Sequence, residues 1–214
     1  ILEACLENGI NRVLVTSTSE VYGTAKFVPI DESHPLQGQS PYSASKIAAD
    51  QLAFSYFSSY NLPITIVRPF NTYGPRQSSR AIIPTIITQI ASGKKELNLG
   101  SLTPTRDFNY VKDLVNGYEI IMKSSSGYGE AVNIGSGYEI SILDLVNLIA
   151  ELMDVKITIT EQKNRMRPKK SEVFRLLADN KKVLSLYNWK PKILGKQGFI
   201  DGLNKTINWF TNKN

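Results

Sequence analysis

Two hydrophobic periodicities alternate along the 214-residue chain. Short β-branched runs mark strands, and longer stretches with apolar positions three and four apart mark helices. Arg12–Ser17 (RVLVTS) and Ile64–Arg68 (ITIVR) read as buried strands, as do the shorter Glu96–Leu99, Ala131–Ile134 and Val155–Thr160. Between them the pattern predicts helices. Ile1–Asn8 reads as the tail of an amphipathic helix stopped at Gly9. Pro41–Tyr60 reads as a long helix ending at Asn61-Leu62-Pro63, with apolar residues on more than one face. Further helices are expected around Ile82–Ser92, near Lys112–Lys123, from a Ser141 cap to about Met153, from Asp179, and up to about Trp209-Phe210. Thr105-Arg106-Asp107-Phe108 is taken to lead directly into the Lys112 helix, and Gly135-Ser136-Gly137 to turn the chain. Strands alternating with helices indicate an α/β fold.

Composition narrows this picture. With 42% apolar and 21% charged residues, the chain suits one ordinary domain or two small ones. The single cysteine, Cys5, excludes an internal disulfide and fits a reducing compartment. No apolar run approaches the roughly 20 residues of a membrane span, and no charged-then-apolar leader is present, so a cytoplasmic protein is expected. The net charge of +6 gathers late, in Lys163, Arg165, Arg167, Lys169, Lys170 and Arg175. No zinc spacing or aromatic ribonucleoprotein motif accompanies it, so a diphosphate ligand is a better match than nucleic acid. The only histidine, His34, lies in the Pro-rich loop 24–40 without a partner for a metal or a triad; no metal site is expected. Cys5, Trp189 and Trp209 read as packing residues.

The chemistry concentrates in two segments, Thr18-Ser19-Glu20 and Tyr42-Ser43-Ala44-Ser45-Lys46. On a helix, Tyr-x-x-x-Lys puts both side chains on one face, about one turn apart. Ser40 can cap that helix and Pro41 suits its first position. Tyr42 then sits in the first turn, where the helix dipole and the Lys46 charge both favour phenolate, and such a tyrosine can take a proton from an alcohol. Taken alone, the motif reads as a partly exposed helix with an incidental Tyr and Lys, and Glu20 as a solvated turn carboxylate.

The flanking motifs decide between these. Val21-Tyr22-Gly23, Tyr42-x-x-x-Lys46, Arg68-Pro69-x-Asn71-x-Tyr73-Gly74-Pro75-Arg76 and Arg106-Asp107-Phe108-x-x-Val111-x-Asp113 occur in that order. The set resembles the extended short-chain dehydrogenase/reductases, the NAD-dependent sugar-nucleotide epimerases, dehydratases and decarboxylases, over nearly the whole chain. The resemblance implies the C-terminal part of a Rossmann-like doubly wound parallel sheet plus a small α/β substrate-binding domain. Residues 1–73 and 107–137 would belong to the NAD-binding part, and 74–106 and 138–214 to the nucleotide-sugar part. Family members begin with a Gly-rich dinucleotide loop that this sequence lacks, so the chain is expected to be an N-terminally truncated piece.

The resemblance also implies roles. Thr18, Ser19, Glu20, Tyr42 and Lys46 would be catalytic; Thr16, Tyr42, Lys46 and Pro69 would contact NAD; Asn71, Arg106 and Arg167 would hold the nucleotide-diphosphate sugar, with Arg76 and Arg80 weaker candidates. For Arg106 the structural alternative is an ion pair with Asp107 or Asp113. Glutamate at position 20 matches the 4,6-dehydratases, which need a base for the C5 proton, although Ser19 stands where several of them carry Asp. Uronate decarboxylases share Thr-Ser-Glu, and 4-epimerases share the rest. Thr24–Gln39, Arg76–Gln89 and Arg165–Asn180 resemble more narrowly the 4,6-dehydratase of legionaminic-acid biosynthesis, acting on a nucleotide-linked N-acetylglucosamine. A homodimer through the Pro41–Tyr60 helix and the helix ending at Asn8 is expected, and a non-catalytic nucleotide-sugar-binding or dimerisation module is the reading from another class.

Overall fold

The computed structural model describes residues 1–162 and 168–211, Lys169 by its backbone alone. Strands β1 (Val13–Thr16), β2 (Ile64–Pro69) and β6 (Glu130–Ile134) form a parallel sheet in the order β1-β2-β6. β2 is central and buried except at Pro69. Its side chains alternate between two apolar layers, as a pleated strand requires. Ile64 and Ile66 join Val13, Leu62 and Ala53, the last from helix α2 (Pro41–Tyr60). Val67 faces the opposite layer with Val132, Ile134, Trp189 and Ile121, the last from helix α4 (Val111–Lys123). Helices therefore cover both faces of this sheet. The expectation of a buried β1 needs correction: only Val13 is buried, Leu14 and Val15 are half-buried, and Thr16 is exposed. β1 lies at the sheet edge and pairs only with β2 among the described residues.

Segments between β2 and β6, together with those after β6, build a second layer. Strands β3 (Asn71–Tyr73), β5 (Thr105–Tyr110) and β7 (Glu139–Ser141) form a mixed sheet, parallel between β3 and β5 and antiparallel between β5 and β7. β4 (Glu96–Leu99) pairs in parallel with β8 (Thr158–Glu161). The largest apolar cluster fills this part. It includes Ile83, Ile86 and Ile87 of helix α3 (Ile82–Ala91), Leu145, Val146 and Ile149 of helix α5 (Ile142–Leu152), and Phe199, Leu203 and Ile207 of helix α7 (Gly195–Thr211). Two short helices, α1 (Leu2–Glu7) and α6 (Lys181–Tyr187), complete the set. The sequence pattern did not reveal β3, β5 or β7. In particular, Thr105–Phe108 belongs to strand β5, which does lead straight into α4 as expected. β8 starts at Thr158 instead of Val155, after a left-handed residue at Asp154 and a Val155 N–H bond back to Ala150 O. No described helix is long and apolar enough to cross a membrane.

Asp107 on β5 joins these layers. Fully buried, its Oδ1 accepts from the Ser136 N–H (2.7 Å) and hydroxyl (2.6 Å), and its Oδ2 from the N–H groups of Gly137 (3.0 Å) and Ala178 (3.1 Å). A Cβ at Gly135 would meet Asp107 Oδ2 at 2.7 Å and Ala178 Cβ at 2.4 Å, so glycine is required there for the turn to close on the carboxylate. The loop 24–40 is tied down separately. Glu32 Oε1 accepts the Asn133 N–H (2.7 Å), and Ile30 N–H donates to Leu177 O (2.7 Å). His34, buried at 2% exposure, accepts the Lys26 N–H at Nε2 and packs against Tyr22 and Phe27, a structural role.

Two outcomes are expected. Asp107→Ala strands four donors in a closed interior and should cost about 3 kcal/mol or more in urea unfolding; a loss under about 1 kcal/mol would refute the hub. Burial pushes the Glu32 carboxyl above its ordinary value, outweighing the Asn133 N–H and the Lys182 and Arg68 charges. A carboxyl raised on folding contributes stability that is full below its unfolded pKa and is lost as pH rises through the folded one. The stability difference between wild type and Glu32→Gln should therefore be larger at about pH 4 than at about pH 7; a difference constant or rising with pH would contradict this assignment.

Candidate functional site

The carboxyl ends of β1 and β2 open on the same edge of the sheet, in register Thr16↔Val67. Beyond β1, Ser17 N–H donates to Val67 O (2.7 Å), which holds the chain against β2 as it turns. Thr18 then caps a 3-10 turn, Ser19–Tyr22, its Oγ1 accepting the Glu20 N–H at 3.2 Å. Val21 and Tyr22 anchor the turn in the core at 0% exposure, while Ser19 and Glu20 border a cleft. Because Thr18 Oγ1 is used here as an acceptor, its own O–H remains available to donate.

Helix α2 begins as the sequence predicts. Ser40 is the N-cap in a reciprocal box with Ser43: Ser43 N–H donates to Ser40 Oγ (3.1 Å) and Ser40 N–H to Ser43 Oγ (3.0 Å). Pro41 follows, so Tyr42 projects from the first turn, 54% exposed. One turn on, Lys46 Nζ donates to Thr16 O at 2.6 Å. Thr16 Oγ1 in turn accepts the Tyr118 hydroxyl (3.1 Å), whose proton burial holds more firmly than usual. Lys46 is thus tied to the end of β1 and stands behind the cleft rather than in its wall.

Three clefts meet here. The first, about 600 Å³, is lined by Thr16, Thr18, Ser19, Glu20, Tyr42, Pro69 and Asn71, with Leu114, Val115 and Tyr118 of α4 as an apolar wall. The second, about 520 Å³, takes in Glu20, Asn71, Thr72, Gln77, Arg80, Arg106 and Glu172. The third, about 450 Å³, is bounded by Glu20, Ser40, Tyr42 and Ser171. Glu20 borders all three, Tyr42 and Asn71 two each. Asn71 Oδ1 and Gln77 Oε1 are buried without a hydrogen-bond partner among the described residues.

Arg106 lies on the second cleft, donating to Thr105 O (2.8 Å) and pairing with Glu172 at 3.4 Å, both side chains largely buried. The alternative partners named from sequence are otherwise engaged: Asp107 in its hub, and Asp113 Oδ2 accepting the Lys192 and Ile193 N–H groups. Arg76 borders none of the three clefts; it is exposed and lies over the Trp209 ring at 5.4 Å. Arg167 falls outside the described residues. Gln77, Tyr118 and Glu172 escaped sequence reasoning. Tyr118 lies eleven positions after Asp107 on a helix face that only the tertiary fold turns towards Thr16, and Glu172 meets Arg106 across 66 positions. Together the clefts offer phenols, carboxylates, hydroxyls, amide acceptors and two arginines, Arg80 and Arg106: acid–base groups beside polar and anion-recognising ones.

The model of a family described as GDP-mannose 4,6 dehydratase matches residues 1–201. The chain is 31% identical over 213 residues to the dTDP-D-glucose 4,6-dehydratase of Homo sapiens, covering 98% of this chain and 59% of that protein. Among solved structures, the UDP-glucuronic acid 4-epimerase from Bacillus cereus, in complex with UDP-glucuronic acid and NAD, superposes with a TM-score of 0.89 at 28% identity, over 99% of this chain and 65% of that one. The dTDP-glucose 4,6-dehydratase from Bacillus anthracis, in complex with NAD, gives 0.85 at 29% identity over 99% and 65%. The chain thus spans about three-fifths of the length of the curated relatives it matches.

The capping box gives the expected result for this site. Ser40→Ala should cost about 1 kcal/mol in urea unfolding and speed amide exchange in the turn that carries Tyr42. Unaltered exchange there would show that the cap does not hold the turn.

Proposed function

The chain belongs to the GDP-mannose 4,6 dehydratase family of extended short-chain dehydrogenase/reductases, and from that premise we propose that it carries the catalytic part of an NAD-dependent sugar-nucleotide 4,6-dehydratase. One observation carries this reading: Glu20 borders all three clefts, sharing two of them with Tyr42 and two with Asn71. A simple alcohol oxidation needs the tyrosine; an elimination also needs a carboxylate on the same cavity.

The residues present fit the nicotinamide end of NAD. Pro69, Leu114, Val115 and Tyr118 supply an apolar wall, and Lys46 Nζ, held on Thr16 O beside that cleft, would have to turn from this carbonyl to meet a ribose. Thr16, Tyr42, Lys46 and Pro69 are assigned to it. NAD, when bound, accepts hydride from the sugar and returns it. The chain's own part begins with Tyr42, which takes the proton of the C4 hydroxyl while the Thr18 O–H donates to the same oxygen. Once C4 is a ketone, the neighbouring C5 proton is acidic, and the Glu20 carboxylate removes it. The protonated Glu20 then gives its proton to the departing C6 hydroxyl, which leaves as water with Ser19 hydrogen-bonding alongside. As hydride returns to C6, C5 regains a proton from solvent, and Tyr42 releases to solvent the one it took. Asn71, Arg80 and Arg106 hold the diphosphate and its sugar; guanidinium suits this because its planar fork pairs with phosphate oxygens and stays charged. The substrate assigned is a nucleotide-linked N-acetylglucosamine. Residues 1–73 and 107–137 are assigned to the cofactor side and 74–106 and 138–214 to the nucleotide-sugar side, in a cytoplasmic homodimer supported by the exposed Leu52 and Tyr60 of α2.

Ser19, where several dehydratases carry an acid, keeps 4-epimerisation as a second reading. Mass spectrometry of the reaction separates them. Protein expressed from its native coding sequence, given the nucleotide sugar and NAD, should yield a product lacking one water. Accumulation of the C4 epimer without water loss would replace the dehydratase reading with the epimerase, and release of carbon dioxide from a uronate would replace both. Tyr42→Phe should abolish turnover yet keep substrate affinity, and Arg106→Ala should weaken nucleotide-diphosphate binding by about 10- to 100-fold in calorimetry; near-normal turnover or affinity would remove the residue concerned from its role.

A further inference from the structure

Beneath the clefts lies a buried polar chain that makes no contact with them. Arg68, 3% exposed, stands on β2 one residue before Pro69 and three before Asn71. Its Nε donates to Asp50 Oδ2 at 3.0 Å, and its Nη1 donates to the Tyr22 hydroxyl at 3.0 Å. Tyr22 passes the chain on, donating to Asn133 Oδ1 at 2.7 Å, and Asn133 Nδ2 donates to Ile30 O at 3.0 Å. Asp50, Tyr22 and Asn133 are each at 0% exposure. Burial pushes the Tyr22 phenol up to about 12 despite Arg68, so it stays a neutral donor in this chain.

The endpoints of Arg68 are what matter. Asp50 follows Tyr42 and Lys46 at successive intervals of four on α2, so one helix face carries all three. Tyr22 is the buried end of the turn that presents Ser19 and Glu20. The guanidinium therefore sits between the two segments that bear the phenol and the carboxylate, on the strand whose end supplies Pro69 and Asn71. A stabilising role alone explains this poorly. Asp50 Oδ1 is buried with no hydrogen-bond partner among the described residues, a costly arrangement in a core that apolar side chains could fill as well. An ion pair with a planar fork offers instead fixed lengths and directions to two partners at once.

We propose that Arg68, with Asp50 and Tyr22, is a positioning clamp that sets the distance and orientation between Tyr42 on α2 and Glu20 on the Thr18-capped turn. It touches neither substrate nor cofactor and acts through the two elements it joins. The clamp rests on the acid–base assignment above for its consequence in turnover, but its mechanical part is independent of which reaction is run.

The test keeps those parts separate. Tyr22→Phe retains the ring and removes the hydroxyl that links Arg68 to the turn; Asp50→Asn retains the shape and weakens the link to the helix. Hydrogen–deuterium exchange on the protein from its native coding sequence should show Tyr22→Phe accelerating segment 16–24 and Asp50→Asn accelerating segment 42–52, with α5 and α7 unchanged in both. In turnover, each variant should lower kcat by about 10- to 100-fold while KM stays within about threefold, because misplacement of reacting groups by an ångström is enough for such a loss. Arg68→Lys, which keeps the charge but not the fork, should not restore kcat. Exchange unchanged in both segments, or raised uniformly over the chain, would reduce the network to general core stability and overturn the clamp. Loss of kcat matched by an equal rise in KM would overturn it as well. Absence of turnover in the wild type would defeat the proposed reaction alone, since the exchange pattern still decides the clamp; if Tyr22→Phe fails to fold, Asp50→Asn decides it.

Discussion

Parallel pairing of β1, β2 and β6 aligns three carboxyl ends along one edge, with Thr16 opposite Val67 and Pro69 opposite Ile134. Each strand must hand its chain on at that edge, and each hands it to a segment of different chemistry. β1 delivers the Thr18 turn, β2 delivers Pro69 and Asn71, and β6 delivers the Gly135–Gly137 turn that receives Asp107. Antiparallel strands would have divided these segments between opposite edges. The site thus follows from strand direction first, and from side-chain identity second.

Alignment of strand ends brings segments together without fixing their spacing, and the interior here spends polar groups on that second task. Two buried carboxylates illustrate complementary solutions. Asp107 is surrounded by N–H and O–H donors of a turn and a neighbouring segment, so its charge is met by dipoles that cannot rearrange. Asp50 is met by one guanidinium and leaves an oxygen unpartnered. The first arrangement closes the β5 layer onto β6; the second spans the gap between α2 and β2, where a backbone hydrogen bond cannot reach. Both lie on elements that border the clefts, α2 through Tyr42 and β5 through Arg106 and Phe108.

Legibility in the sequence followed the reach of each interaction. Helix α2 was readable to the residue because its determinants are local: a Ser40 cap, Pro41 after it and a left-handed Asn61 at its end. β2 was readable because it is buried on both sides and β-branched. β5 was not, since Asp107 and Asn109 are polar residues in core positions, and their burial depends on donors far along the chain. The exposure of β1 depended on sheet order, which a hydrophobic run does not encode. At the site, Thr18, Glu20, Tyr42, Pro69 and Asn71 were named from ordered motifs and all border the first cleft. Arg76 was named from its place in such a motif, but a positive φ of 67° and the Trp209 ring take it elsewhere. Glu172 carries no local signal at all; only the return of the chain past β5 sets it against Arg106.

That pairing bears on how the second cleft would discriminate among anions in the proposed reading. Arg106 and Glu172 are 13% and 12% exposed, so their mutual attraction is less screened than a surface pair's. A monoanion at Arg106 would trade one carboxylate for another and gain little. A diphosphate brings more charge and more acceptor oxygens, and Arg80 on the same cleft gives it a second cation. On the proposed nucleotide-diphosphate reading, Glu172 would raise the threshold for occupancy until a multiply charged group arrives, and selectivity would lie in that competition rather than in the arginine by itself.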